Sequence, residues 1–419
     1  MALVAALAWA AAGVGGHLAA RWAAWTGFAF ASSTLFGAQR LTGELAAAVF
    51  VSVSVAALIR AARISRSRAQ VVLFGALAGA SAAIAMLMKQ NFADGFVFAA
   101  VLLVAGVSTR SNRLTYRPCR MLLTAAGFVL GALVPAAVTV WWAGDHGGLG
   151  ALLYAMFGFR ADAAAVMAGG SWTAPLHRLD ELAGVALVSG LAFLVVHLVI
   201  SHRRRLRHLN PLAWAVVATG AVELFGVFAG ANFWSHYCIA LIPMVALAAG
   251  LSANRSTPSG RWTRRLVVLA VIVTAVVSPI RSFEYAHTPS ASYTTGRWIA
   301  DSARAGDSIV VPFTHANVIN ASRLRPGYPY AWSLPARTLD PHLTLLVGAL
   351  EGPDAPTWVV RWDSSNSWGL DPDHRVDAAL GAHYARVADV CGHPVWLHQG
   401  IDRQLAPTPH LAVCRSRGH

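Results

Sequence analysis

Long apolar runs separated by short polar gaps dominate the first 280 residues of the chain. The runs approach the ~20 residues that a helix needs to cross a bilayer, whereas the strands of a membrane barrel would alternate in polarity over ~10 residues. The pattern therefore predicts about ten membrane helices, at residues 2–19, 22–37, 43–59, 70–88, 92–108, 121–142, 183–200, 211–229, 237–251 and 266–280.

Basic residues alternate between the connections of this region. One set of connections carries 17 Arg, at Arg21 and in residues 60–68, 110–120, 203–207 and 255–265. The other set carries only Arg40, Lys89, Arg160 and Arg178. Because cytoplasmic loops are enriched in Lys and Arg, the Arg-rich connections are predicted to be cytoplasmic. Lys89 and all residues after 280 are then predicted to lie outside.

The same alternation places residue 1 outside. No basic residue precedes the first apolar run, so the chain lacks the charged start of a signal peptide. We therefore expect an upstream helix and outer loop to be missing from this sequence. The alternative is that the first apolar segment is miscounted or only partly inserted.

The composition changes after residue 280. Residues 281–419 carry 12 Arg, most of the Pro and no run long enough to span a membrane. SIVVPF (308–313), TWVVRW (357–362) and HPVWLH (393–398) have the composition of strands, and the stretches after 314, at 342–350 and at 376–384 are typical of helices. This alternation predicts an outer α/β domain at 281–419, following a membrane domain at 1–280.

One outer connection, at about residues 143–182, is longer than the others. It contains the apolar segment GLGALLYAMFGFRADAAAVMAGG, which Arg160 and Asp162 interrupt. That pattern is typical of an amphipathic helix on the membrane surface.

Composition supports the membrane assignment and narrows the function. The chain is 56% hydrophobic and 12% charged, with a mean hydropathy of +0.52, whereas soluble domains carry about 25% charged residues. The net charge of +14 lies largely on alternate loops, so we predict a lipid bilayer as partner and no nucleic acid. The sequence contains no HExxH, CxxC, P-loop, GxGxxG or GxSxG motif of soluble enzymes.

Two of the four cysteines, Cys391 and Cys414, fall in the predicted outer domain. A disulfide can persist outside the cytoplasm, so we predict that these two are paired. The alternative is a pair of buried thiols.

Polar residues at the predicted outer ends of the helices are the candidates for chemistry, because ionisable groups in or beside membrane helices are often functional. They are Glu44, Lys89, Gln90, Asn91, Asp94, Glu223, His236 and Tyr237. Lys89 is the one lysine among 33 basic residues, and its compact ammonium suits a phosphate. Acids, a cation and an imidazole together could bind a phosphate and move a proton.

Each candidate also has a structural interpretation. Lys89 could only anchor a helix end, and Asp94 could simply pair with it. Glu44 could complement the helix dipole beside a capping Thr42, and His236 could be an interfacial residue. Glu223 is harder to explain in this way, because it lies inside the apolar run AVVATGAVELFGVFAG, where a charge without a partner is costly.

Three segments resemble the GT-C superfamily of polyprenyl-phosphate-sugar-dependent glycosyltransferases, which includes protein mannosyltransferases and aminoarabinose transferases. ANFWSHYCIALIPMVALAAG (231–250) contains a His-Tyr pair, His236 and Tyr237, followed by Pro243. The pair Lys89-Gln90 follows an apolar helix, and RLTGELAAAVFVSVSVAALIRA (40–61) contains Glu44. The resemblance covers roughly residues 1–280.

The resemblance implies transfer of a sugar from a polyprenyl phosphate to an extracytoplasmic glycan or protein acceptor. It implies that Lys89 holds the carrier phosphate and that Glu44 is the second outer acid, which helps to position a divalent metal or the acceptor. The family's catalytic acid, in the first outer loop, has no counterpart here, so Glu44 is the remaining catalytic candidate. Gln90, Asp94, Glu223, His236 and Tyr237 would bind substrate, in one outer cavity.

We therefore expect a multi-pass plasma-membrane glycosyltransferase with an outer C-terminal domain. One alternative is a transporter or flippase of lipid-linked sugars, which would need paired charges inside the bundle and usually repeated halves. The other is an inactive, truncated membrane scaffold.

Overall fold

The structure is a computed structural model that describes residues 1–65, 67–108, 117–206, 210–287, 290–410 and Cys414. The chain divides into two compact units. The first comprises Met1–Leu152 and Trp172–Ser282, and the second comprises Leu153–Ser171 and Phe283–His419. The first unit ends at Ser282, and part of the connection at residues 143–182 belongs to the second unit.

Helices form nearly all of the first unit. Their bounds are α1 Ala2–Ala31, α2 Gly43–Ile59, α3 Arg68–Met88, α4 Asp94–Ser108, α5 Pro118–Gly144, α6 Gly148–Leu153, α7 Phe159–Ala168, α8 Thr173–Val188, α9 Leu191–Leu206, α10 Pro211–Ala229, α11 Ile242–Ala253 and α12 Pro258–His287, of which α7 belongs to the second unit.

The described residues contain eight helices long and apolar enough to cross a membrane, or nine if α8 and α9, which meet at a 69° bend, form one span. One of the eight is Gly148–Ala168, for which the sequence predicted a surface helix. The shorter α4 is also apolar. The protein is therefore a polytopic α-helical membrane protein, as predicted.

Helix α1 folds back on itself at Gly16. This residue has φ 71° and ψ −163°, a conformation that is open mainly to glycine. A Cβ on Gly27 would lie 2.5 Å from Leu7 Cδ1, although an unbroken helix would separate the two residues by about 30 Å. The two arms therefore lie side by side and correspond to the first two predicted segments, with the turn at Gly16.

Helices α3 and α5 approach closely along a seam of four glycines. A Cβ on Gly79 would overlap the carbonyl oxygen of Phe128, and a Cβ on Gly131 would overlap that of Ala76. Paired small residues four positions apart let membrane helices approach in this way. The seam consists of Gly75, Gly79, Gly127 and Gly131.

The second unit is built on a five-stranded sheet with the order β2-β1-β3-β5-β4. Its strands are β1 Ser308–Val310, β2 Arg325–Pro326, β3 Trp358–Val360, β4 Tyr384–Val390 and β5 His393–His398. β1 pairs in parallel with β2 and β3, whereas β5 is antiparallel to β3 and β4. Its later helices are α13 Ala291–Ser302, α14 Ala316–Ser322, α15 Ser333–Leu339, α16 Thr344–Glu351 and α17 Arg375–His383.

This unit is the α/β domain that the sequence predicted. The three predicted strands correspond to β1, β3 and β5, and the three predicted helices correspond to α14, α16 and α17. Strands β2 and β4 and helices α13 and α15 were not predicted. A disulfide joins Cys391 and Cys414, whose Cα atoms are 4.8 Å apart, within the range that such a bond requires.

A buried ion pair also stabilises the second unit. Arg403 donates from Nη2 to Asp307 Oδ1 at 2.5 Å and from Nε to Asp307 Oδ2 at 3.1 Å, and the Trp358 indole N–H donates to Oδ2 at 3.1 Å. Burial alone would raise the pKa of Asp307, but these hydrogen bonds, together with one from the Arg304 backbone, outweigh it and lower the pKa.

Candidate functional site

Four of the sequence-predicted residues meet where three helices of the first unit begin or end. Glu44 is the second residue of α2, whose N-cap Thr42 accepts a hydrogen bond from the Leu45 amide. Lys89 is the C-cap of α3. His236 and Tyr237 lie in a short 3₁₀ turn, Ser235–Leu241, which leads into α11. Residues far apart in sequence are thus held at one end of the bundle.

The Glu44 carboxylate is the centre of this cluster. Lys89 Nζ donates a hydrogen bond to Glu44 Oε1, and His236 Nε2 lies 3.4 Å from the same oxygen. The Lys89 ammonium also lies 4.5 Å from the centre of the Tyr237 ring, within cation–π distance. The ammonium is therefore held between a carboxylate and an aromatic face.

Burial differs sharply among these groups. The Glu44 side chain is only 4% exposed, whereas those of Lys89 and His236 are 22% and 31% exposed. A buried carboxylate is costly without a partner, and here Lys89 and the start of α2 both compensate it. The exposed Arg40 adds a second positive charge that acts on His236. The cluster thus presents two cations around one buried anion, which favours an anionic ligand.

The connection before His236 is strained and rich in aromatic residues. Ala231 and Phe233 have φ values of 48° and 50°, in a region that side chains other than glycine rarely adopt. Trp234 stacks towards His236 with ring centres 6.2 Å apart, and Arg178 lies 4.5 Å above the Trp234 ring. The geometry adds Arg178 and Trp234 to the surroundings of the site. In the sequence, Trp234 lies two residues before the His-Tyr pair, and Arg178 is one of the few basic residues on the Arg-poor connections.

Gln90 is half-buried in the turn that follows Lys89. Asp94, at the start of α4, forms no ion pair with another described residue, and Lys89 pairs with Glu44 instead. Glu223 lies in α10, near enough to Asp94 for the two charges to interact. Both oxygens of Glu223 and one of Asp94 are buried and lack a hydrogen-bond partner among the described residues.

Glu223 also lines a cavity that extends towards the Arg-rich connections. Glu44, Lys89 and His236 do not line this cavity. Those three residues meet, and the expectation that Glu223 joins them in one site stays a prediction.

The described residues contain no candidate metal site: within that part of the chain, no group of three or more His, Cys, Asp or Glu side chains could hold a metal ion.

The fold resembles that of solved membrane proteins. The crystal structure of ArnT from Cupriavidus metallidurans in the apo state aligns with a TM-score of 0.61 at 14% identity, over 94% of this chain and 81% of that chain. The structure of the same protein bound to undecaprenyl phosphate aligns with a TM-score of 0.53 at 13% identity, over the same shares. No family model and no curated protein matches the sequence. The likeness confirms the predicted fold class, a polytopic α-helical membrane protein with a C-terminal α/β domain.

Proposed function

We propose that this protein is a membrane glycosyltransferase that moves a sugar from a polyprenyl phosphate to an acceptor in the cell envelope. The observation that carries the proposal is the cluster of Lys89, Glu44, His236 and Tyr237 at one end of the bundle. It is supported by a fold shared with ArnT, one structure of which holds undecaprenyl phosphate. The cation cluster and the fold together support this substrate class.

In this proposal, Lys89 binds the carrier phosphate. Its ammonium is partly exposed at a helix end, where a lipid phosphate at the membrane surface can reach it. When the bond between the sugar and the phosphate breaks, the electron pair leaves on the phosphate oxygen. A fixed ammonium stabilises this developing charge without reorganisation of solvent.

Glu44 is the proposed base. In the structure it is held by Lys89, and a bound phosphate competes for the same ammonium. Loss of its cationic partner makes a buried carboxylate a stronger base. Glu44 then takes the proton of the acceptor hydroxyl, whose oxygen forms the new bond to the anomeric carbon. Donor binding and base activation are coupled through Lys89, and His236 orients the carboxylate.

The proposal is tested by measuring the affinity of purified protein for undecaprenyl phosphate. Lys89→Ala should weaken binding by about tenfold or more, because a charge-assisted contact to phosphate is lost. Lys89→Arg should restore only part of the affinity, since a planar guanidinium does not replace a compact ammonium in this setting. Arg297→Gln, which removes an equal charge from an exposed pair with Asp301, serves as the control.

Activity is followed as sugar transfer from radiolabelled polyprenyl phosphate sugars in membranes. Glu44→Gln should bind the carrier but lose most of the transfer rate, because the amide cannot accept the proton. Unchanged carrier affinity in Lys89→Ala would refute the phosphate role, and full activity in Glu44→Gln would refute the base.

One observation favours the transporter alternative. Asp94 and Glu223 are buried acids, three of whose oxygens have no hydrogen-bond partner in the part of the chain that the structure describes, and paired intramembrane charges are common on transport pathways. Movement of a lipid-linked sugar across vesicles containing the purified protein, abolished in Glu223→Gln and retained in Glu44→Gln, would support transport over transfer.

The proposed location is the plasma membrane, with the Glu44 cluster and the second unit outside. The supporting observation is that two of the Arg-rich connections meet at the opposite end of the bundle, where Arg63 and Arg255 line one cavity. The positive-inside bias makes that end cytoplasmic.

A further inference from the structure

The cavity that Glu223 lines is separate from the Glu44 cluster, none of whose residues belongs to its lining. It has a volume of about 460 Å³ and opens among the ends of α2, α10 and α11, and its size is within the ~300–1,000 Å³ typical of small-molecule sites. It runs along α10 to Glu223, which lies twelve residues after Pro211. At a rise of about 1.5 Å per residue this is about 18 Å, more than half of the hydrocarbon thickness.

The mouth of this cavity is positively charged. Arg63 and Arg255 line it, together with Asn210 and Asn254. Neither arginine forms an ion pair with a described residue, and Arg63 Nε is buried without a hydrogen-bond partner. The Asn254 side-chain amide donates a hydrogen bond to the Gly15 carbonyl oxygen at 3.0 Å. Two cations that line one cavity and have no ion-pair partner among the described residues favour an anion there.

The walls between the mouth and Glu223 are apolar. They are formed by side chains of α9, α10 and α11, including Val195, Leu212, Val216, Met244 and Val245. No polar side chain is described along this part of the lining until Glu223, so an occupant gains by burying hydrocarbon there.

Glu223 ends the apolar part of the cavity. Both of its oxygens are buried and without a partner among the described residues. A hydrocarbon chain that extended past this point would press against a carboxyl group that already has no polar partner among the described residues, which is costly. Glu223 therefore limits the length of chain that the cavity accepts.

From these observations we propose that the cavity binds a phosphate amphiphile, with its phosphate between Arg63 and Arg255 and one long alkyl or isoprenoid chain in the apolar tunnel. The proposal does not rest on the proposed transferase function, because it concerns the opposite end of the bundle. The ligand is a lipid of the membrane leaflet on the Arg-rich side, and free phosphate is the competing source of the same headgroup.

The test is photo-crosslinking of purified full-length protein in nanodiscs with a diazirine-bearing tetradecyl phosphate, mapped by mass spectrometry. Labels should fall on α10 and α11. The double variant Arg63→Gln/Arg255→Gln should reduce this labelling by about tenfold or more, because two charge-assisted contacts are lost. Arg261→Gln, an exposed cation on α12 outside the lining, should label like the wild type.

Two further variants test the tunnel. Gly220→Leu fills it, and a Cβ there meets only Met244 Cβ at 3.8 Å, so the helix can accept the side chain; labelling should be lost. Gly184→Leu, at a site with no atom within 4 Å, is the matched control. Glu223→Leu should shift the preferred competitor from shorter to longer alkyl phosphates, an effect that a purely structural role of Glu223 would not produce.

Competition separates the possible ligands. Tetradecyl phosphate should displace the probe, whereas tetradecanol and inorganic phosphate should not. Equal competition by tetradecanol would show partitioning without a headgroup site, and equal competition by inorganic phosphate would show a free-phosphate site; either result overturns the proposal. Wild-type labelling in both the double arginine variant and Gly220→Leu also overturns it.

Discussion

The close approach of α3 and α5 at the glycine seam predicts that a single added methyl group destabilises the protein. In Gly79→Ala the new Cβ overlaps the Phe128 carbonyl oxygen and lies 2.7 Å from the Phe128 carbonyl carbon and 2.9 Å from the Ala132 nitrogen. All three atoms belong to the backbone of α5, so no side chain can move aside. The helices have to separate along the whole seam.

The cost of this substitution follows from two opposing effects. Overpacking of a close contact costs about 1–3 kcal/mol, and separation of the helices adds lost dispersion contacts. Replacing a helical glycine by alanine returns up to about 1 kcal/mol. We therefore expect Gly79→Ala to lower the free energy of unfolding by roughly 1–2 kcal/mol and the midpoint of thermal unfolding by several degrees.

Gly184→Ala is the matched control, because a Cβ at this helical position meets no atom within 4 Å. The same chemical change should there leave stability unchanged or raise it. The assay heats detergent-solubilised protein with a fluorogenic thiol reagent in a Cys119→Ser background, so that the buried Cys238 reports unfolding. Equal unfolding temperatures for Gly79→Ala and Gly184→Ala would refute the close approach of the two helices.

Three further predictions concern the arrangement of the chain and its second unit. With Cys119 replaced, a membrane-impermeant thiol reagent added outside cells should label a cysteine at Trp172 and not one at Ser67, and equal labelling would contradict the proposed orientation. Because the pKa of Asp307 is lowered, its ion pair stabilises the second unit above about pH 4, and this stability is lost as the pH falls through the folded-state pKa; Asp307→Asn should remove the acid dependence seen by urea unfolding at several pH values. Reduction of the disulfide between Cys391 and Cys414, which are 23 residues apart, should lower the free energy of unfolding by about 3 kcal/mol, and a double serine variant should be insensitive to reductant.

The amino-acid sequence by itself determined which segments are helices and which end of the bundle is basic. Apolar runs of membrane length have few alternatives to a helix, because every backbone polar group must be hydrogen-bonded within the segment. The two arms of α1 were predicted as separate segments, at residues 2–19 and 22–37, but the turn between them at Gly16 was not predicted. The α/β character of the second unit was also predictable, since three of its five strands are short apolar runs between turns.

Only the tertiary structure decided which polar groups meet. Lys89 and Glu44 are 45 residues apart in sequence, and nothing in the spacing showed that Lys89 would choose Glu44 over Asp94. Glu223 was grouped with them because it lies late in a helix predicted to run outward, and the structure places it in the lining of a cavity that none of Glu44, Lys89 and His236 lines. Sequence sets the depth of a residue in the membrane, whereas helix rotation and packing set the direction of its side chain, and these depend on contacts distant along the chain.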